Sequence, residues 1–158
     1  MSDYMRPAPL EEALALLPGR GAGILAGGTD LFAATERRRL PGPVVDLGAI
    51  AELRGVRAVA GGTVIGACTT WDEIARDDAL PPALGALRAA AREVGGWQVQ
   101  TRGTIAGNLC NASPAAVSAV SVVVCTFRPI TATVGATLEP LIMGRTLRIS
   151  VLRPGDKY

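Results

Sequence analysis

The chain has 158 residues, of which 49% are apolar and 19% charged, and carries a formal net charge of +2. That composition excludes an intrinsically disordered chain. Its acids and bases are mixed along the chain, which argues against a nucleic-acid binder with one basic stripe. There is no histidine, so His-based acid–base catalysis, Ser-His-Asp and Cys-His pairs and most zinc sites are removed. The three cysteines, Cys68, Cys110 and Cys125, lie far apart and form no CxxC. They are fewer than the four ligands an iron–sulfur cluster takes. Their odd number suits a reducing, cytoplasmic setting better than a disulfide framework.

The first seventeen residues, MSDYMRPAPLEEALALL, contain Asp3, Glu11 and Glu12 and no continuous apolar run, so they do not read as a signal peptide. Leu10, Leu14 and Leu17 recur at helical spacing, and Pro18–Gly19 ends that helix. Ile24 and Leu25 form a short buried strand. Gly27–Gly28 turn the chain, and Thr29 or Asp30 caps a helix running to about Arg39. Arg37–Arg39 read as its solvated basic end, where cations complement the helix dipole. The PGP at 41–43 stops it, and VVDL at 44–47 is a second strand. Residues 8–47 thus make a small αβαβ lobe. The boundary falls near 48–55, dividing the chain into 1–53 and 54–158.

In the second part, VRAVAGGTVIGA reads as a hairpin around Gly61–Gly62. Thr70 to Glu73 fit a capping box that opens a short helix to about Arg76. Pro81–Pro82 lead into a helix over roughly 83–94, with Leu84, Leu87 and Ala91 on one face and Gly95–Gly96 at its end. The acid pairs Asp72–Glu73 and Asp77–Asp78 read as solvated helix starts. RGTIAGNLCNASPAA, 102–116, is too broken for a helix and too polar for a core strand. VSAVSVVVCTF, ITATVGATLEP and RTLRISVL read as strands. The longest apolar-rich run, 115–127, is too short to span a bilayer, which takes ~20 residues.

Two segments are built for close approach. LAGGTDL, 25–31, lies between a strand and a helix. Its glycines admit a ligand without Cβ collisions, and the helix start behind them offers free N–H groups suited to a phosphate or pyrophosphate. The plain alternative is a tight turn capped by Asp30. The segment matches neither GxGxxG nor GxxxxGK[ST]. In 102–116, short hydroxyls and amides can donate and accept hydrogen bonds; the plain alternative is a polar loop on a sheet rim. A long cofactor with a diphosphate in its middle would use both segments, whereas a smaller phosphate ligand would use AGGTDL alone.

RPAPLEEALALL, ILAGGTDL, VVDL, VIGACTTWDEIA and VGGWQVQTRGTIAGNLCNASPAA, in this order over about residues 4–116, resemble the FAD-binding medium subunit of the molybdenum hydroxylases. That is the xanthine dehydrogenase and aerobic carbon monoxide dehydrogenase group, whose flavin domain is of the PCMH type. The resemblance implies an α+β, two-lobed FAD-binding fold without its C-terminal domain. It implies that Ala26, Gly27, Gly28, Thr29, Asp30 and Leu31 lie against the FAD diphosphate. Thr104, Ile105, Ala106, Gly107 and Asn108 would form the opposing wall, with Thr69 and Thr70 near the cleft unless Thr70 serves only as a helix cap. It further implies a molybdenum-cofactor large subunit and a [2Fe-2S] small subunit as partners. In such complexes the flavin takes electrons from the iron–sulfur clusters and passes them to an acceptor, with no side chain acting as acid or base.

Three departures stand out. Ala106 replaces a usual glycine. Val117 replaces an acid that follows ASPAA in the family, removing a polar anchor worth ~1–3 kcal/mol. After Ala116 the family pattern fades, and no charged residue occurs between Arg102 and Arg128. The expectation is a truncated product, with a reading-frame change near 117 as one cause; the alternative is a divergent short homologue whose last strands still complete the second lobe. A truncated remnant or assembly module that no longer holds FAD is the alternative function.

Overall fold

Parallel strands need crossover connections, which helices usually supply, and the first fifty residues follow that rule. The computed structural model describes residues 4–17, 21–36, 40, 42–59, 62–111 and the backbone of 148–149. The first sheet holds β1 (Tyr4–Met5), β2 (Gly23–Leu25) and β3 (Val44–Asp46), interleaved with helices α1 (Leu10–Leu16) and α2 (Thr29–Ala33). All pairings are parallel, in the order β1-β3-β2. Val45 at its centre packs with Ala13 of α1, Ile50, Leu53 and Cys68. Cys68 comes from later in the chain, so the second part closes the core of the first.

Two features differ from expectation. The strand β1 has no sequence signature because two residues show no period. Polar contacts hold it: the Tyr4 hydroxyl donates to buried Asp46 at the end of β3, and Arg6 pairs with the same carboxylate at 3.3 Å. Asp46 also accepts from the Gly48 N–H at 2.8 Å. Secondly, α2 stops at Ala33 rather than running to Arg39, and neither Thr29 nor Asp30 caps it. Its N-cap is Gly28, at φ +74°, a left-handed conformation that glycine takes without Cβ strain. Past its end the Thr35 hydroxyl donates to the Leu31 carbonyl at 2.7 Å, a local bond that competes with helix continuation. Arg37–Arg39 lie outside the described residues.

The second sheet contains the expected hairpin, β4 (Val56–Val59) with β5 (Gly62–Ile65), antiparallel with Val56 opposite Ile65. On the other side of β5 lies β6 (Arg148–Ile149), also antiparallel. Against this sheet pack α3 (Trp71–Arg76) and α4 (Gly85–Glu93), followed by α5 (Trp97–Gln100) and α6 (Ile105–Cys110). Trp71, Ile74, Leu84, Leu87, Ala91 and Ile105 form the core here with Ile65. The helix α6 replaces the loop expected at 102–116 as far as Cys110. Tertiary partners override weak local propensity there: Ile105 is fully buried, and Thr104 caps α6 by accepting from the Gly107 N–H at 3.2 Å. The segments VSAVSVVVCTF and ITATVGATLEP lie outside the described residues, and RTLRISVL contains β6.

The capping box of α3 is complete. Thr70 Oγ1 accepts from the Glu73 N–H at 3.2 Å, and Glu73 Oε2 accepts from the Thr70 N–H at 2.8 Å. Glu73 also pairs with Arg54 at 2.7 Å, tying α3 to the segment that precedes β4. Thr70→Ala removes the cap and is expected to cost about 1 kcal/mol. Urea unfolding reads this as a lower midpoint at unchanged slope; an unchanged midpoint would show that the box adds nothing.

Candidate functional site

The strand β2 delivers the chain into Ala26-Gly27-Gly28, and α2 starts at once behind it. A helix leaves its first N–H groups without intrahelical partners. In α2 the first intrahelical-type bond is from Phe32 N–H to Gly28 at 3.0 Å. The N–H groups of Gly28, Thr29, Asp30 and Leu31 have no hydrogen-bond partner among the described residues. Four neighbouring donors of one short segment are therefore left without a partner among the described residues.

The opposite wall is made differently. The first N–H groups of α6 are already used: Ile105 donates to Thr69 at 3.0 Å, Ala106 to Ala67 at 3.4 Å, and Asn108 to Thr104 at 3.0 Å. Gly107 donates to the Thr104 hydroxyl. What α6 can offer a ligand is side chains. Asn108 is only 5% exposed, yet its carboxamide has no hydrogen-bond partner among the described residues, and it lines the cleft between the two segments. Among the described residues the buried side-chain N and O atoms without a partner are Trp71 Nε1 and Arg88 Nε; the Asn108 amide is not one of them, so it is open to the cleft and free to bond what enters it.

The cleft has a volume of about 400 Å³. The 25–31 loop forms one wall and α6 the other, with Leu47, Leu53, Ala67 and Cys68 between them and the leucines of α1 alongside. Ala26, Gly27, Gly28, Thr29, Asp30, Leu31, Thr104, Ala106, Gly107 and Asn108 all line it. Ile105 does not; it points into the second core. Thr69 and Thr70 do not line it either. Thr69 is fully buried and donates to the Gly55 carbonyl at 3.2 Å, while Thr70 is the α3 cap. Sequence reasoning missed Leu10, Leu14 and Leu17, since an apolar stripe does not say whether it faces core or cleft. It also missed Cys68, Cys110 and Asn111 as lining residues. Among the described residues no cluster of His, Cys, Asp or Glu could hold a metal ion.

The loops also touch. A β-carbon at Gly27 would overlap the carbonyl oxygen of Arg102 and stand 2.7 Å from its carbon. One wall thus rests on the chain entering the other.

Burial pushes the Cys68 thiol up to about 11, with Asp46 and Glu73 adding to the shift and Arg54 opposing it. The folded state keeps a proton that the unfolded chain releases near ~8.5. This contribution to stability is complete below the unfolded value and is lost as pH rises toward 11. A melting-temperature series from pH 8 to 10.5 is expected to fall more steeply for the parent than for Cys68→Ala; equal slopes would exclude the thiol as the cause.

The family described as "FAD binding domain in molybdopterin dehydrogenase" matches residues 1–138, continuing past Ala116, where the quoted motifs end. The caffeine dehydrogenase subunit beta of Pseudomonas sp. (strain CBB1) is 35% identical over 116 residues, covering 72% of this chain and 39% of that protein. The xanthine dehydrogenase FAD-binding subunit of Escherichia coli O157:H7 is 36% identical over 124 residues, covering 75% and 41%. Reconstituted CO dehydrogenase from Oligotropha carboxidovorans superimposes with a TM-score of 0.66 at 36% identity, over 72% of this chain and 41% of that one. The chain spans about two fifths of the length of these relatives. The expected α+β, PCMH-type FAD-binding fold is the one observed, and the chain belongs to the family of FAD-binding domains of molybdopterin dehydrogenases.

Proposed function

We propose that this chain holds FAD in the cleft between the 25–31 loop and α6, as the FAD-binding part of a molybdenum hydroxylase. The observation that carries the reading is the pairing of unused donors across one cleft: the N–H groups of Gly28–Leu31 on one wall and the Asn108 amide on the other. A diphosphate has oxygens that only accept, and neutral backbone donors at a helix start suit it. The residues present therefore fit the group. The cleft is smaller than the whole cofactor, so the reading assigns it the diphosphate and the groups beside it. Ala26 and Gly27 supply backbone beside the donors. Thr104, Ala106 and Gly107 form the facing surface, and Ile105 anchors that surface from behind. Residues 1–53 make one FAD-binding lobe, and the second begins at residue 54.

Bound flavin supplies the electron-carrying chemistry. The chain's own part is to bind, orient and shield it. No histidine is needed for that, because no proton has to be moved by a side chain. In this reading the flavin accepts electrons from iron–sulfur clusters on a [2Fe-2S] small subunit. A molybdenum-cofactor large subunit oxidises the substrate, and the flavin passes electrons to an acceptor. The widely spaced cysteines favour a reducing cytoplasm. No helix among the described residues is long and apolar enough to cross a membrane.

Incubation of the purified chain with excess FAD, followed by desalting, is expected to leave absorbance peaks near ~375 and ~450 nm. Asn108→Ala is expected to weaken retention about five- to tenfold, the worth of one lost hydrogen bond. A folded but colourless parent chain would contradict the proposal.

A further inference from the structure

The Gly27–Gly28 pair invites a single explanation, backbone pressed against a ligand. The geometry divides the pair. At Gly28 an added β-carbon would meet the ring of Phe32 at 2.6 Å, the far end of an exposed side chain; the constraint there is the φ of +74° that starts α2. At Gly27 the backbone is ordinary, and the obstacle is main chain. The added carbon overlaps the Arg102 carbonyl oxygen and lies 2.7 Å from its carbon and 3.1 Å from Gly103 Cα. No rotamer change relieves a clash with main chain. Gly103 is tight for another reason, its own segment, and meets loop 25–31 only at ordinary contact distance. A β-carbon there would stand 2.9 Å from the Val99 carbonyl oxygen and 3.6 Å from the Thr29 hydroxyl.

We propose that Gly27 is a positioning residue, whose missing side chain lets loop 25–31 lie on Arg102 and Gly103 and so sets the distance between the α2 donors and Asn108. The inference rests on the FAD reading for its consequence, not for its geometry. From Arg102 the contact passes directly into the α6 wall. The Gly103 carbonyl accepts from the Trp71 N–H at 3.2 Å, and Thr104 caps α6 one residue later. Trp71 is fully buried in the second core. A displaced Arg102 therefore moves the start of the helix that carries Asn108. With the clasp intact, the cleft is formed before any cofactor arrives, which lowers the ordering cost of binding.

The full chain with Gly27→Ala is compared with the parent in two measurements: amide hydrogen exchange without cofactor, and FAD titration. The expected result is faster exchange at the Trp71, Gly103 and Ile105 amides, together with FAD affinity weakened roughly tenfold or more. Weakened affinity with unchanged exchange at those amides would make Gly27 a direct cofactor contact and overturn the proposal; unchanged affinity overturns it as well. A parent chain that does not bind FAD defeats the functional reading, while the exchange comparison still decides the clasp. If the variant does not fold, the parent alone decides in mild denaturant. Phe32 and Gly103 amides that open at one common free energy support a joined pair of loops, and separate opening overturns it.

Discussion

Main chain rests directly on main chain where Gly27 meets Arg102, and the cleft depends on that contact. It lets a loop following a parallel sheet lie against the entry to a helix that belongs to a different core. Hydrogen bonds on the Arg102 side tie that segment to residues 67–71: Trp71 N–H to Gly103, Ile105 N–H to Thr69 and Ala106 N–H to Ala67. An isolated bridge between Thr70 and Thr104 joins the same two segments. Small residues in both loops follow from this geometry. They are small because two backbones meet there, as well as because a ligand is expected beside them.

The two walls of the cleft have opposite polarity of construction. In α2 the helix start is left open, with its donors unpaired. In α6 the helix start is closed by protein acceptors, so the wall contributes a hydroxyl and an amide instead. In the proposed reading an anion would meet backbone on one side and side chains on the other. The open start needs Gly28 to put the first helical residue immediately after the turn. The closed one uses Thr104 as a cap and leaves Asn108 one turn further on, nearly buried and unpaired.

Much of this was legible in the amino-acid order. The stripe of α1, the hairpin of β4 and β5, the capping box at Thr70 and the face of α4 all follow from period or cap chemistry, which act locally. What was not legible depends on distant partners. The strand β1 exists because Tyr4 and Arg6 reach Asp46. The helix α6 forms in a glycine-rich stretch because Ile105 enters the second core and Thr104 finds the Gly107 N–H. The end of α2 at Ala33, with the Thr35 hydroxyl turned back on the Leu31 carbonyl, has no marker in the sequence. Ten of the thirteen positions that the motifs nominate line one cleft, since motif order preserves which loops meet; Thr69 and Thr70 do not, one being buried beneath and the other a helix cap. Ile105 does not line the cleft because one position in each 3.6-residue turn of the helix faces the second core, which a motif does not record. The role of Gly27 was hidden for the same reason: a sequence shows that a side chain is missing, not what fills the space.

Titration of the 15N-labelled chain with FAD, followed by two-dimensional amide NMR, tests the central claim most directly. The account predicts that the backbone amides of Gly28–Leu31 and the side-chain amide of Asn108 shift together, along one binding curve. Binding that moves neither group, or that shifts only amides remote from the 25–31 loop and α6, would contradict it.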